Sequence, residues 1–163
     1  VNNLVEWLAD SCSKNGNLEL AIHLGPKELY AFEERTLRQI GMWLEVNGEA
    51  IYGTRPWKVF GEGPTKVAGG KRARRKADYT ARDIRFTTKG ETLYAISLDW
   101  PGDELVIQKL GSSSPHLEGA ITGVSLVGYD KKLAFKQESR GLVVTMPGDK
   151  PCEYAYVLRI TAE

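Results

Sequence analysis

A chain of 163 residues has room for one ordinary domain, or for a smaller domain carrying a substantial appendage. Its 22 basic and 21 acidic side chains nearly cancel, which excludes the global field that draws a protein to nucleic acid or to an acidic membrane surface. Hydrophobic content is 42%, and no apolar run approaches the roughly 20 residues needed to span a bilayer, so neither nucleic acid nor membrane is expected as a partner.

From the first residue, Leu4, Val5, Leu8 and Cys12 recur at helical spacing with Glu6, Asp10 and Lys14 between them, and the pattern stops at Asn15-Gly16. This predicts an amphipathic helix over residues 3–14. The start, Val1-Asn-Asn-Leu-Val-Glu6, has neither a basic leader nor an uninterrupted apolar core, so no signal peptide is expected in it and the compartment stays open. Next, Leu18, Leu20, Ile22 and Leu24 alternate with Glu19, Ala21 and His23 before Gly25-Pro26, which predicts a strand over 17–24. Residues 32–47 return to the helical period, with Leu37, Ile40, Trp43 and Leu44 inward and Glu33, Glu34, Arg35, Arg38 and Glu45 outward.

The run from Asn47 to Trp57 breaks this architecture. Asn47-Gly48 suits a left-handed helix stop, and Pro56 forces an extended exit. Residues 58–77 then read as a linker loop containing the basic run Lys71-Arg-Ala-Arg-Arg-Lys76, whose charges are expected to be solvated. From Asp83 onward, short alternating segments separated by turn signals predict about seven strands, at 84–88, 92–98, 104–110, 121–126, 133–137, 142–145 and 154–160. That rhythm belongs to an antiparallel β-sandwich, and the apolar content of the last segment marks it as a central strand. The expected divisions are therefore 1–57, 58–77 and 78–163.

Cys12 and Cys152 lie far apart, and with only His23 and His116 beside them they do not form a zinc-binding pattern. Free, inert thiols are expected, with a long-range disulfide as the alternative. Neither metal nor cofactor is called for.

Several of these segments carry a family resemblance. Lys14-Asn-Gly-Asn-Leu18 leading to Gly25-Pro26, then Ile40-Gly-Met-Trp-Leu44 running into Asn47-Gly-Glu-Ala-Ile-Tyr-Gly-Thr-Arg-Pro-Trp57, resembles the end of the catalytic barrel in the α-L-fucosidases of glycoside hydrolase family 29. Asp83-Ile-Arg-Phe-Thr-Thr-Lys-Gly90, Leu93-Tyr-Ala95 and Lys150-Pro-Cys-Glu-Tyr-Ala-Tyr156 resemble the C-terminal sandwich of the same enzymes. The resemblance implies a helix-strand-helix remnant of a (β/α)8-type barrel followed by the sandwich. Retaining hydrolysis needs two carboxyl groups roughly 5–5.5 Å apart. In the family both come from barrel segments upstream of those matched here, so no residue of this chain inherits either role. At the last strand the family reads Asn-Leu-Leu-Leu-Asn-Ile-Gly-Pro, whereas this chain carries two extra residues there, with Glu19 and His23 in the strand. The customary Asp-Gly after the Gly-Pro is replaced by Lys27-Glu-Leu-Tyr-Ala-Phe32.

Three functions follow as expectations. The first is a truncated fucosidase-like fragment whose sandwich supports a catalytic partner or binds a fucosylated or related glycoside, with Trp100 in the Asp99-Trp-Pro-Gly102 turn as the stacking candidate and a cap on the core as its plainer role. The second is a small glycosidase of fucosidase or galactosidase type with a new carboxylate site drawn from Glu19, Glu28 and Glu49 (or Glu33 and Glu34), tuned by His23. The third is a structural module that self-associates through residues 1–50, because the orphan strand and its helices lack a barrel to cover them. Tyr52, Arg55 and Trp57 are expected to brace the barrel-sandwich junction.

Overall fold

The computed structural model describes residues 1–25, 28–67, 77–117 and 119–163. The basic run at 71–76 and Pro26-Lys27 lie outside the described residues. The order is α1 (Asn2–Ser13), α2 (Ala31–Asn47), a 3-10 turn (Gly48–Ala50), then β1 (Arg55–Glu62), β2 (Ile84–Lys89), β3 (Thr92–Ser97), β4 (Glu104–Ile107), a second 3-10 turn (Gln108–Leu110), β5 (Ile121–Leu126), β6 (Phe135–Glu138), β7 (Gly141–Thr145) and β8 (Tyr156–Ala162). A five-stranded sheet, β1-β2-β3-β8-β5, packs over a three-stranded sheet, β4-β7-β6, and every strand pair is antiparallel. This is the expected mainly-β sandwich, and β8 lies inside the larger sheet, between β3 and β5.

Alternation along each strand builds two cores rather than one. Ile84, Phe86, Leu93, Ala95, Leu158 and Ile160 point toward the small sheet, where they meet Leu105, Ile107, Leu142 and Val144. Their neighbours Tyr94, Ile96 and Val157 point the other way, onto Val5 and Ala9 of α1 and Trp43 of α2. The large sheet is thus covered on both faces, which is why β3 reads as a nearly continuous buried run. Among the described residues, no helix is long and apolar enough to cross a membrane.

Four expectations are corrected. The segment 17–24 forms no strand: among the described residues its only ladder contact is a single bridge from Leu24 to Leu29, and Leu20, Ile22 and Leu24 are 38%, 42% and 72% exposed. Alternation records which side chains could be buried, but a strand also needs a neighbouring backbone, and no described segment supplies one. Conversely, β1 occupies 55–62, where a loop was expected from residue 58. It pairs with β2 across a register irregularity between Pro56 and Gly61, which suits an edge strand holding a proline.

Gly48 is right-handed (φ −60°), so the helix tightens into the 3-10 turn rather than stopping; a side chain there would come within 2.7 Å of the Tyr52 ring. Finally, the inward face of α1 is Val5, Glu6, Ala9, Asp10 and Ser13, with Leu4, Leu8 and Cys12 only half-buried. The helix has turned two acids toward the sheet.

Candidate functional site

The polar chemistry concentrates where the helices meet the large sheet. Because Ile84 and Phe86 face the inter-sheet core, Arg85 must face α1, and it is 5% exposed there. Its Nε donates to Asp10 Oδ1 at 2.8 Å, Lys14 Nζ donates to the same oxygen at 2.7 Å, and Nη1 donates to the Ile84 carbonyl at 3.1 Å. Burial works to raise the Asp10 carboxyl, but the hydrogen bonds from Lys14 and Arg85 overcome it and hold the group below the usual carboxylate range. Arg85 also stacks its guanidinium 5.2 Å from the Tyr79 ring and 5.6 Å from the Phe60 ring, over which Lys14 Nζ lies at 4.5 Å.

Further cross-links fix the second helix and the 3-10 turn. The Trp43 indole donates to the Ala155 carbonyl at 2.8 Å, and Thr87 Oγ1 donates to the Ala50 carbonyl at 2.7 Å. Asn47 Nδ2 reaches Cys152 Sγ at 3.4 Å. Beside α1, the Asp83 carboxylate accepts from the amides and hydroxyls of both Thr65 and Thr80, so one side chain ties together two points far apart in sequence. Both cysteines are free and half-buried, and burial pushes each thiol up. Among the described residues, no group of three or more His, Cys, Asp and Glu is placed to hold a metal.

The carboxylates singled out in the sequence are dispersed. Glu19 and Glu28 are exposed. Glu49 receives Arg159 Nε at 3.2 Å and its Nη2 besides, which ties the 3-10 turn to β8. His23 meets Glu33 instead, through its amide at 2.8 Å and Nδ1 at 2.9 Å, and those contacts hold the Glu33 carboxyl down. A cleft of about 490 Å³ does bring two other carboxylates together, Glu62 and Glu104, along with Arg82 and Gln108. Both are already engaged. Glu62 accepts from the amides of Gln108 and Lys109 at 2.7 Å each, capping the second 3-10 turn, while Glu104 pairs with Arg140 at 3.4 Å.

The aromatic candidates also find definite places. Trp100 is half-buried on the inter-sheet core, edge-on to Tyr156 at 4.8 Å, with Lys150 Nζ 5.9 Å above its ring. Trp57 packs on the same core, edge-on to Phe86 at 5.0 Å, and lines a cleft of about 440 Å³ with His116 and Glu91. Of the three residues expected at the junction, it is the one packed into the sandwich. Tyr52 is 59% exposed and Arg55 is exposed, and the helix–sheet cross-links run through Asp10, Arg85, Trp43 and Glu49. For Asp10 and Arg85 the sequence signals were acids spaced i, i+4 beside Val5 and Ala9, and an arginine between two core residues.

Residues 76–161 match the family described as the alpha-L-fucosidase C-terminal domain. An alpha-L-fucosidase of Branchiostoma floridae is 33% identical over 98% of this chain and 32% of its own length, and the tissue alpha-L-fucosidase of Rattus norvegicus is 31% identical over 98% and 31%. Among solved structures, the alpha-fucosidase of Thermotoga maritima in complex with a mechanism-based inhibitor superposes with a TM-score of 0.74 at 28% identity, over 98% of this chain and 34% of that one. The chain spans about a third of the length of these relatives. The family model covers the sandwich from residue 76 and the relatives extend the similarity over the helices, so the chain belongs to the alpha-L-fucosidases of glycoside hydrolase family 29, as their C-terminal β-sandwich domain with the helical segment that precedes it.

Proposed function

We propose that this chain is the non-catalytic C-terminal part of an α-L-fucosidase, a brace for a catalytic barrel rather than a hydrolase in its own right. The observation that carries this reading is the exposed row Leu20, Ile22 and Leu24, continued by Tyr30 and by Phe32 at the start of α2 at 56% and 74% exposure, next to helices anchored to the sheet. Apolar side chains at strand spacing, beside a backbone lacking a ladder, suit coverage by further barrel elements. Engagement of Glu33, Glu49, Glu62 and Glu104 by other groups argues in the same direction.

The purified chain is expected to show no turnover of nitrophenyl α-L-fucoside or nitrophenyl β-galactoside. Turnover abolished by Glu19→Gln, Glu28→Gln or Glu49→Gln would overturn the reading in favour of a small glycosidase. Bracing is favoured over sugar binding for Trp100, because its ring already contacts Tyr156 and Lys150. Affinity gels carrying fucosylated glycans should retard wild type and Trp100→Ala equally.

The same apolar row supports a second reading, self-association of the chain through residues 1–50. Sedimentation should then report an oligomer that dissociates on replacing Leu20, Ile22 and Leu24 by serine. A wild type that is monomeric at all concentrations would remove this reading and leave the first standing.

A further inference from the structure

The side of α1 that meets the sheet carries a second acid that the Asp10–Arg85 pair does not explain. Glu6 is 3% exposed; its Oε1 accepts from Asn2 Nδ2 at 2.8 Å, while its Oε2 is buried with no hydrogen-bond partner among the described residues. Among the described residues, the charged groups acting on it from the packed turns are Asp99, Asp78 and Asp83, all acidic, and the Tyr79 phenol is the titratable neighbour that feels its charge in turn. On its own helix the next inward side chain is Asp10, which already takes both Lys14 and Arg85. A carboxylate at this position therefore has one amide donor and several like charges around it. A neutral carboxyl fits the same space without that cost.

We propose that Glu6 is a protonation-controlled latch on the helix–sheet interface: with its carboxyl neutral, α1 is held against the five-stranded sheet, and when the carboxylate forms, α1 loosens. Burial first, and the neighbouring Asp99 next, push the Glu6 carboxyl from 4.5 up to about 7. The sign follows directly. Below about 4.5 the group is protonated whether α1 is docked or free, so docking is unaffected. Between 4.5 and 7 the undocked form ionises first, and docking weakens as pH rises; above 7 the full penalty is present. Asp10 responds oppositely, since its depressed carboxyl holds α1 until strongly acidic conditions protonate it. The latch therefore closes in mild acid and opens toward alkaline pH.

Amide hydrogen exchange of α1 in the full chain, corrected for the intrinsic pH dependence of exchange, tests this between pH 5 and pH 8. Protection of α1 is expected to fall roughly tenfold or more across that range in wild type. In Glu6→Gln, which keeps the shape of the neutral acid, it should stay level. Asp99→Asn should move the wild-type transition to lower pH, and this second variant keeps the test decisive if Glu6→Gln does not fold. An α1 whose protection is level in wild type, or falls equally in Glu6→Gln, or has an unmoved transition in Asp99→Asn, would overturn the latch.

Discussion

The two faces of the five-stranded sheet solve the burial problem in different ways. Toward the small sheet the contacts are almost wholly apolar: Phe86, Leu158 and Ile160 meet Leu105, Leu142 and Val144. Toward the helices an apolar patch around Val5, Ile96 and Val157 is interrupted by Arg85, Thr87 and the Trp43 indole, each with a named partner. The first face gains from area, which is indifferent to small rotations of one layer against the other. The second works only when Asp10, Ala50 and Ala155 sit where their donors point. The contrast teaches that the sandwich could pack by complementarity of shape, whereas the helical segment is keyed to one orientation.

Breaking the apolar face should cost most. Phe86→Ala removes a fully buried ring contacting Trp57 and is expected to destabilise by about 3–5 kcal/mol in urea unfolding. On the keyed face, Arg85→Met takes one cation away from the buried Asp10 carboxylate and leaves Lys14 on the same oxygen, and about 3 kcal/mol should be lost. Adding Asp10→Leu should recover most of that loss. A double variant as unstable as the single one would mean that the pair supplies stability rather than orientation. Trp43→Phe keeps most of the buried surface but leaves the Ala155 carbonyl with the weak Cys152 thiol at 3.4 Å in place of the indole, at about 1–2 kcal/mol.

Asp83 sharpens the comparison through pH. Burial opposes its charge, but the amides and hydroxyls of Thr80 and Thr65 win and hold its carboxyl below 3.8. A depressed carboxyl contributes stability that is present above its ordinary value and lost as pH falls through the folded one. Acid unfolding of Asp83→Asn should consequently be less steep below about pH 4 than that of wild type, with lower stability near pH 6, both read from thermal midpoints. Smallest of all, Glu49→Ala breaks a partly exposed pair with Arg159 and should cost no more than about 1 kcal/mol.

Much of the architecture was readable along the chain. Both helices, the seven strands from Ile84 onward and the interior position of the last strand follow from periodicity and turn chemistry, which act within a few residues. The family could be recognised from short local runs for the same reason. The site was far less legible. Glu6 and Asp10 look like the polar stripe of an amphipathic helix until the rotation of α1 on the sheet turns them inward. Arg85 is conspicuous only as a charge inside an apolar strand, and nothing local says that a helix residue 75 positions away will meet it.

What the sequence by itself determined is therefore the list of elements and the apolar identity of the sandwich core, since both rest on side-chain spacing within single segments. The tertiary structure alone decided which segments become strands at the margins. Lys58-Val-Phe-Gly61 joins the sheet because β2 offers it a ladder, and Leu18–Leu24 gets no further than the Leu24–Leu29 bridge because no described neighbour offers one. It also decided which charges are buried. Hydrogen-bond partners and desolvation are properties of neighbours brought together by folding, and no window along the chain contains them.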